Sequence, residues 1–380
     1  MTVFYTSAGG KKEEHPSREE FWFYIPKIER INRMCSTELV FSDDEIAVLN
    51  KIPEMAKKIK EGNPEKIRDL QPLIGAFEKF MTFIQSSYEE DGSGGDQNFL
   101  IDKNDLGELY GNCNPVPREE SMIGELNKLA NEWRELLIGQ GNADLFNMDG
   151  FYPFYTSQKC RILFVGREAC CMSGKNYIKT VCPCIRGDSF SGWTVNQYPF
   201  HRRQFYIAYG IMKWCQGMGF PGWEEVPWAS DMAKRIFAKN EESNEGVGGL
   251  KSISWAFINL SKISNDTADY KTDSNRYFPF ISNEVNRGKI REQIEILKPQ
   301  IIIGANVPEL TEILSYGKAD QSVPECYYYE GNEKLPPFLN CYHFAAIKND
   351  QQCFYESVKK VFEIHEEALK QYLCRGDKTK

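Results

Sequence analysis

Residues 161–168 read RILFVGRE, and the fold turns on how they are taken. Ile162, Leu163, Phe164 and Val165 form a short β-rich apolar run that ends on Gly166. Three similar runs follow: SWAFINL (254–260), QIIIGA (300–305) and FLNCYH (338–343). Helical patterns separate them at about 200–218, 225–240, 284–297 and 307–316, with a last one at 351–372. Strand–helix alternation of this kind predicts an α/β domain, a parallel sheet flanked by helices. Ligands of such sheets sit at the carboxyl ends of the strands. Three groups stand there: Gly166-Arg167-Glu168, Asn259 and His343.

Upstream the pattern is helical throughout. Ser17-Arg18-Glu19-Glu20 fits a capping box, Ser42 with Asp43, Asp44 and Glu45 opens a second helix, and Pro64 opens a third. Leu70, Leu73, Phe77, Phe80 and Phe83 recur at helical spacing, which reads as core packing. EEDGSGGDQ (89–97) reads as a loop, and a fourth helix runs from about Pro117 to Leu137. The expected division is therefore an all-α accessory domain over 1–150 and the α/β domain over 151–380.

Charge divides at the same place. The whole chain carries −8, but residues 1–150 hold 17 basic and 28 acidic side chains, against 29 and 26 in 151–380. Within 151–200 there are six basic residues, Lys175 among them, and two acidic ones. A phosphate partner needs a local positive field of this sort, not a basic chain. The acidity of 1–150 suits a protein partner or an autoinhibitory role better than phosphate contact. No run approaches the length of a membrane span, and the N-terminus lacks a secretory pattern. The chain is thus expected in the cytoplasm, with its twelve cysteines mostly reduced.

An acid, an amide and an imidazole on one rim form a chemically coherent set. A carboxylate can orient water or stabilise a cation. A carboxamide offers a donor and an acceptor side by side, suited to the edge of a base. An imidazole can hydrogen-bond to a leaving group that gains negative charge. Such a set suits cleavage of a C–N glycosidic bond. Each member also has a plainer reading. Glu168 could pair with Arg167 or Lys175, Asn259 could be a turn residue, and His343 could simply end a strand.

Over roughly 150–370 the order of motifs resembles the uracil-DNA glycosylase superfamily. ILFVGREA is similar to its first motif, with Glu168 at the acidic position. RGDSFSG (186–192) is similar to the segment that supplies a base-stacking aromatic, here Phe190, for which core packing is the plainer reading. Asn259-Leu260-Ser261-Lys262 matches an Asn-x-x-Lys element, ILKPQIIIGAN the strand phrase after it, and His343-Phe344-Ala345-Ala346 the last motif. The resemblance implies a monofunctional DNA glycosylase that flips a nucleotide from double- or single-stranded DNA and needs neither metal nor cofactor. Glu168 would position water and His343 would stabilise the departing base. Phe190 would stack on the base, while Asn259, Cys170 and the backbone of Arg167 would contact it. Ile347 would wedge into the duplex, and Lys175, Lys262 and Lys348 would meet DNA.

Three features depart from the family or imitate it. His15-Pro16-Ser17 spells the family's last motif at the wrong end of the chain and reads as helix-start chemistry. Cys170, Cys171, Cys182 and Cys184 crowd together, but their spacing fits no common zinc pattern and reads as thiols lining a pocket or loop. Cys170 stands where the uracil-specific branch has a tyrosine that excludes substituents at pyrimidine C5, which implies a modified pyrimidine as substrate, in repair or in defence against modified foreign DNA. Arg202-Arg203 reads as a phosphate contact or a solvated helix face. Two other functions fit the same residues, a DNA-binding module without catalysis and a nucleoside or nucleotide hydrolase.

Overall fold

Four of the six strands run parallel and are apolar at nearly every position, which is what burial between helical layers demands. They are β2 (Ile162–Gly166), β3 (Ala256–Asn259), β4 (Ile301–Ala305) and β6 (Phe338–Cys341), and every residue in them is buried. The computed structural model describes residues 98–111, 114–138, 142–186, 195–233, 250, 252–265 and 272–373. These fall in one of the two compact units into which the chain divides, Gln97–Ser189 with Thr194–Lys380.

The sheet order is β1-β3-β2-β4-β6-β5. It is mixed rather than purely parallel, because β1 (Gly150–Phe151) and β5 (Cys326–Tyr329) close its two edges antiparallel. Both are short segments without a strong apolar run, so periodicity alone does not reveal them. Cys326 and Cys341 face each other across the β5–β6 pair, with their sulfurs 3.4 Å apart. Among the described residues Cys184, Cys215, Cys326, Cys341 and Cys353 form no disulfide. No helix among the described residues is long and apolar enough to cross a membrane.

The helices are α1 (Lys103–Tyr110), α2 (Pro117–Ile138), α3 (Tyr177–Arg186), α4 (Pro199–Cys215), α5 (Ala229–Ala233), α6 (Ser274–Ser282), α7 (Glu284–Leu297), α8 (Leu310–Leu314), α9 (Glu356–Ile364) and α10 (Glu366–Leu373). Local chemistry sets their starts. Asp102 and Asp105 form a reciprocal capping box on α1, Pro117 opens α2, and the Asn283 side chain accepts from the first amides of α7. Helices α3 and α6, with prolines at 183 and 279, were not anticipated from the pattern.

The boundary expected at residue 150 does not hold. Helix α2 packs on α7, where Trp133 donates a 2.9 Å hydrogen bond to Asn286 and stacks on Phe280. Buried Glu119 accepts bonds from the Phe154 and Thr156 amides and from the Tyr110 hydroxyl. Residues 98–138 therefore share one core with the sheet. The helices read at residues 17–83, the loop over 89–97, the His15-Pro16-Ser17 decoy and Phe190 lie outside the described residues, as does any partner surface on the acidic segment before residue 97.

Candidate active site

The connections place a topological switch point along the carboxyl edge of the sheet. From β2 the chain steps to β3 on one side, and from β4 it steps to β6 on the other. The direction of strand addition reverses between β2 and β4, where open α/β sheets bind their ligands. Along that edge the chain ends fall in the order Asn259, Gly166-Arg167-Glu168, Asn306 and His343. The outer two lie three strand spacings apart, about 14 Å, so they can serve one site only by converging on something between them.

Arg167 ties the middle together. Its Nε donates a 2.9 Å hydrogen bond to the carbonyl of Asn306, and its guanidinium lies 5.9 Å from the Tyr277 ring centroid and 4.0 Å from Glu309. Asn306 holds a left-handed conformation, φ 58°, which lets the loop after β4 turn back under that guanidinium.

Glu168 is half-buried. Its Oε1 accepts 2.8 Å from Asn265 Nδ2 and 3.0 Å from the Asp273 amide. Among the described residues no donor is bonded to Oε2. Burial raises the carboxyl above the usual glutamate range, Asp273 adds to the rise, and the two hydrogen bonds oppose it. Among the described residues no ion pair joins Glu168 to Arg167 or Lys175; Arg167 turns to Asn306 and Glu309 and acts on Glu168 only from a distance, as a small opposing pull on its carboxyl. Cys170 beside it is half-buried and bridges Asn265 through the backbone.

Asn259 is buried below this rim, with only 2% exposure. Its Oδ1 lies where a side chain on Gly166 would begin, 2.6 Å from an ideal Cβ there. Its Nδ2 is buried and has no hydrogen-bond partner among the described residues. The backbone is fixed from behind, since Asn259 N donates to Asp149 Oδ2 at 2.7 Å. The Lys262 ammonium bonds both to Asp149 Oδ1 and to the Asn259 carbonyl. Gln293 Nε2 donates to Asp149 at 2.8 Å, and the Trp133 ring lies 5.6 Å from the ammonium.

Lys262 therefore has no surface to offer DNA. Its side chain is 0% exposed, and burial lowers its ammonium despite the Asp149 carboxylate. Lys175, the other expected phosphate contact near β2, is half-buried, with its backbone tied to Met148 and Met172. Lys348 is exposed, and its ammonium lies 5.1 Å from the Tyr342 ring. Ile347 is 63% exposed.

His343 sits at the end of β6, half-buried. Its Nδ1 accepts 3.2 Å from the Ala345 amide. Burial pulls its pKa down to about 4, with Arg167 and Arg203 adding to the fall, so the imidazole is neutral at pH 7. A neutral ring whose Nδ1 is an acceptor carries its proton on Nε2, which leaves one donor for a ligand.

Arg202 and Arg203 fit neither of the readings given for them. Both are buried on α4, and both bind Asp350, at 2.6 and 2.8 Å. The sequence pattern gives no signal for Asp149 or for Phe200. The half-buried Phe200 ring lies 5.6 Å from His343, 5.7 Å from Phe257 and 5.7 Å from Phe344. Cys182 and Cys184 lie on helix α3, not in a loop. Among the described residues no group of three or more His, Cys, Asp or Glu is placed to hold a metal. Comparison with family models, curated proteins and solved structures returns no match to this chain.

Proposed function

We propose that the protein is a monofunctional DNA glycosylase whose site is the sheet edge that carries Glu168, Asn259 and His343. The observation that carries this reading is the Asn259 carboxamide. Leaving a buried polar atom unbonded costs about 1–3 kcal/mol, and such an atom calls for an explanation. Its Nδ2 lies at a strand end, beside a glycine that lets it approach the rim, and a base edge bound there would supply the missing acceptor.

The flanking groups suit the rest of the reaction. Among the described residues nothing bonds to Glu168 Oε2, which can serve a water or the cationic sugar that develops as the glycosidic bond breaks. Its fixed oxygen holds the orientation of the other. His343 offers a neutral Nε2–H, which can bond to an oxygen of the departing base as negative charge grows there. The proton stays on the imidazole, so the base leaves as a hydrogen-bonded anion. The part of Cys170 as the source of room for a C5 substituent belongs to the same proposal.

The test is base release from duplexes and single strands carrying uracil, 5-hydroxymethyl or glucosylated pyrimidines, and alkylated purines, with abasic sites cleaved by alkali. Loss of release in Glu168→Gln, Asn259→Ala and His343→Ala would support the assignment. Silence of the wild type across the panel, with DNA binding retained, would replace it with a binding module. Cys170→Tyr that leaves 5-substituted pyrimidines and uracil equally cleaved would remove the specificity claim.

A further inference from the structure

The β5–β6 hairpin turns at 330–337 and ends, on its open side, in a facing pair of cysteines. Its register runs from Tyr329 opposite Phe338 to Cys326 opposite Cys341. The two sulfurs lie 3.4 Å apart, and the thiols are not joined. Both residues are inside, Cys326 at 1% exposure and Cys341 at 4%. Residues directly opposite in an antiparallel pair have Cα atoms about 4.5 or 5.5 Å apart, and a disulfide spans either distance. Closing the sulfurs to about 2.05 Å therefore asks for side-chain rotation, not for movement of a strand.

The pair stands where a staple has most effect. Strand β5 is outermost in the sheet, and a hairpin frays first at the end away from its turn. Cys341 is also the last residue of β6. Its carbonyl accepts the Asn306 amide at 2.9 Å, and the Asn306 carbonyl accepts Arg167 Nε at 2.9 Å. His343 follows two residues later. Burial raises the Cys326 thiol well above its ordinary range, and the contact with Cys341 adds to the rise. Thiolate is scarce while the hairpin is closed, so thiol exchange proceeds when its open end frays.

We infer that Cys326 and Cys341 are a redox-responsive pair, reduced in this structure and closed to a cross-strand disulfide by exchange with a small disulfide such as oxidised glutathione. One protein thiolate attacks a sulfur of the small disulfide, which gives a mixed disulfide and releases one small thiolate. The facing thiolate then attacks the cysteine sulfur of that mixed disulfide and expels the second small thiolate. Two electrons pass from the protein to the small disulfide, and the two protein thiol protons end on the two small thiols. The new bond joins positions 15 apart, which restricts the unfolded chain. It also ties the outer strand to the strand end that precedes His343. The pair is independent of the glycosylase reading, and each can fail without the other.

The test holds the full chain overnight in native buffer over a series of ratios of reduced to oxidised glutathione. Samples are quenched with acid, alkylated with N-ethylmaleimide and mapped by mass spectrometry. A peptide pair joined through Cys326 and Cys341 is expected, growing with the share of oxidised glutathione and lost on adding dithiothreitol. The oxidised chain should also unfold at a higher urea midpoint, since a loop of this length corresponds to about 100-fold in the folding equilibrium. Cys326→Ala should lose both the link and the redox dependence of the midpoint. If that variant fails to fold, Cys341→Ala takes its place, and mapping of the wild type decides on its own. Both thiols found alkylated in the most oxidising buffer, while the urea-unfolded chain forms disulfides, would overturn the inference. Glutathione held on one cysteine without a link would do the same, as would a midpoint that the link leaves unchanged.

Discussion

The amide of Asn259 donates its hydrogen bond to a carboxylate 110 residues earlier, Asp149 Oδ2 at 2.7 Å. The other oxygen of that carboxylate holds Lys262, and Lys262 returns to the Asn259 carbonyl. A closed ring of buried polar groups thus sets the backbone from which the carboxamide projects.

Asp149→Ala should be among the costliest substitutions in the domain. It strands a fully buried ammonium and an amide, and losing one partner of such a pair costs about 3–5 kcal/mol. Asp149→Leu with Lys262→Met should recover much of that loss, since it removes both charges together. Urea midpoints would report both. A cost below about 1 kcal/mol for Asp149→Ala would mean the pair is not as dry as its burial indicates.

Glu168→Gln should separate activity from stability. Glutamine keeps an acceptor for Asn265 and Asp273, so the fold is retained, but base release should fall by about 10²–10⁴-fold. The raised carboxyl pKa means that native Glu168 is destabilised by ionising: its favourable contribution is full below the unfolded value and is lost as pH rises through the folded one. At pH 7 the variant should therefore melt at a higher temperature than the wild type. A lower Tm would contradict this.

Acid should weaken the fold through two histidines. Burial lowers both His343 and His201 to about 4, while an unfolded histidine titrates near 6.5. Between those values the unfolded chain binds more protons, so stability is full above about 6.5 and declines as pH falls towards about 4. Denaturation series at neutral and mildly acid pH, repeated in His343→Gln, should show a shallower decline in the variant. Identical slopes would argue against a buried neutral imidazole.

Gly166→Ala probes the close approach between β2 and β3. Its Cβ would lie 2.6 Å from Asn259 Oδ1 and 3.2 Å from the Phe257 ring. Relief must come from the carboxamide or the ring, at a cost of about 1–3 kcal/mol. If Asn259 moves, base release should fall further than the stability loss explains. A variant with full activity at saturating substrate would show that the carboxamide does not need its present position.

Much of the sheet is legible in the sequence. The runs around Phe164, Phe257, Ile302 and Leu339 are strands because their burial leaves a continuous apolar signal, and the strand ends pointed to Glu168, Asn259 and His343. The short edge strands carry no such signal. Lys262 and Arg203 were misjudged for one reason: a lysine or arginine in a sequence reads as surface, and only the fold reveals the carboxylates of Asp149 and Asp350 that make burial tolerable. The helical pattern of α2 was read correctly, but its partner was not, because helix periodicity says which face is apolar and not what covers it.

The hydrogen bond from Trp133 to Asn286 joins residues 153 apart in the chain. During synthesis at about 5–20 residues per second, the indole of α2 emerges some 8–30 s before its acceptor exists. Throughout that interval the apolar side of α2, with Leu126, Leu129 and Leu137, has neither α7 nor a completed sheet to cover it. The nascent chain thus passes through a window of apolar exposure that lengthens as translation slows. Growth temperature and translation speed should accordingly govern how much of the protein is recovered in soluble form.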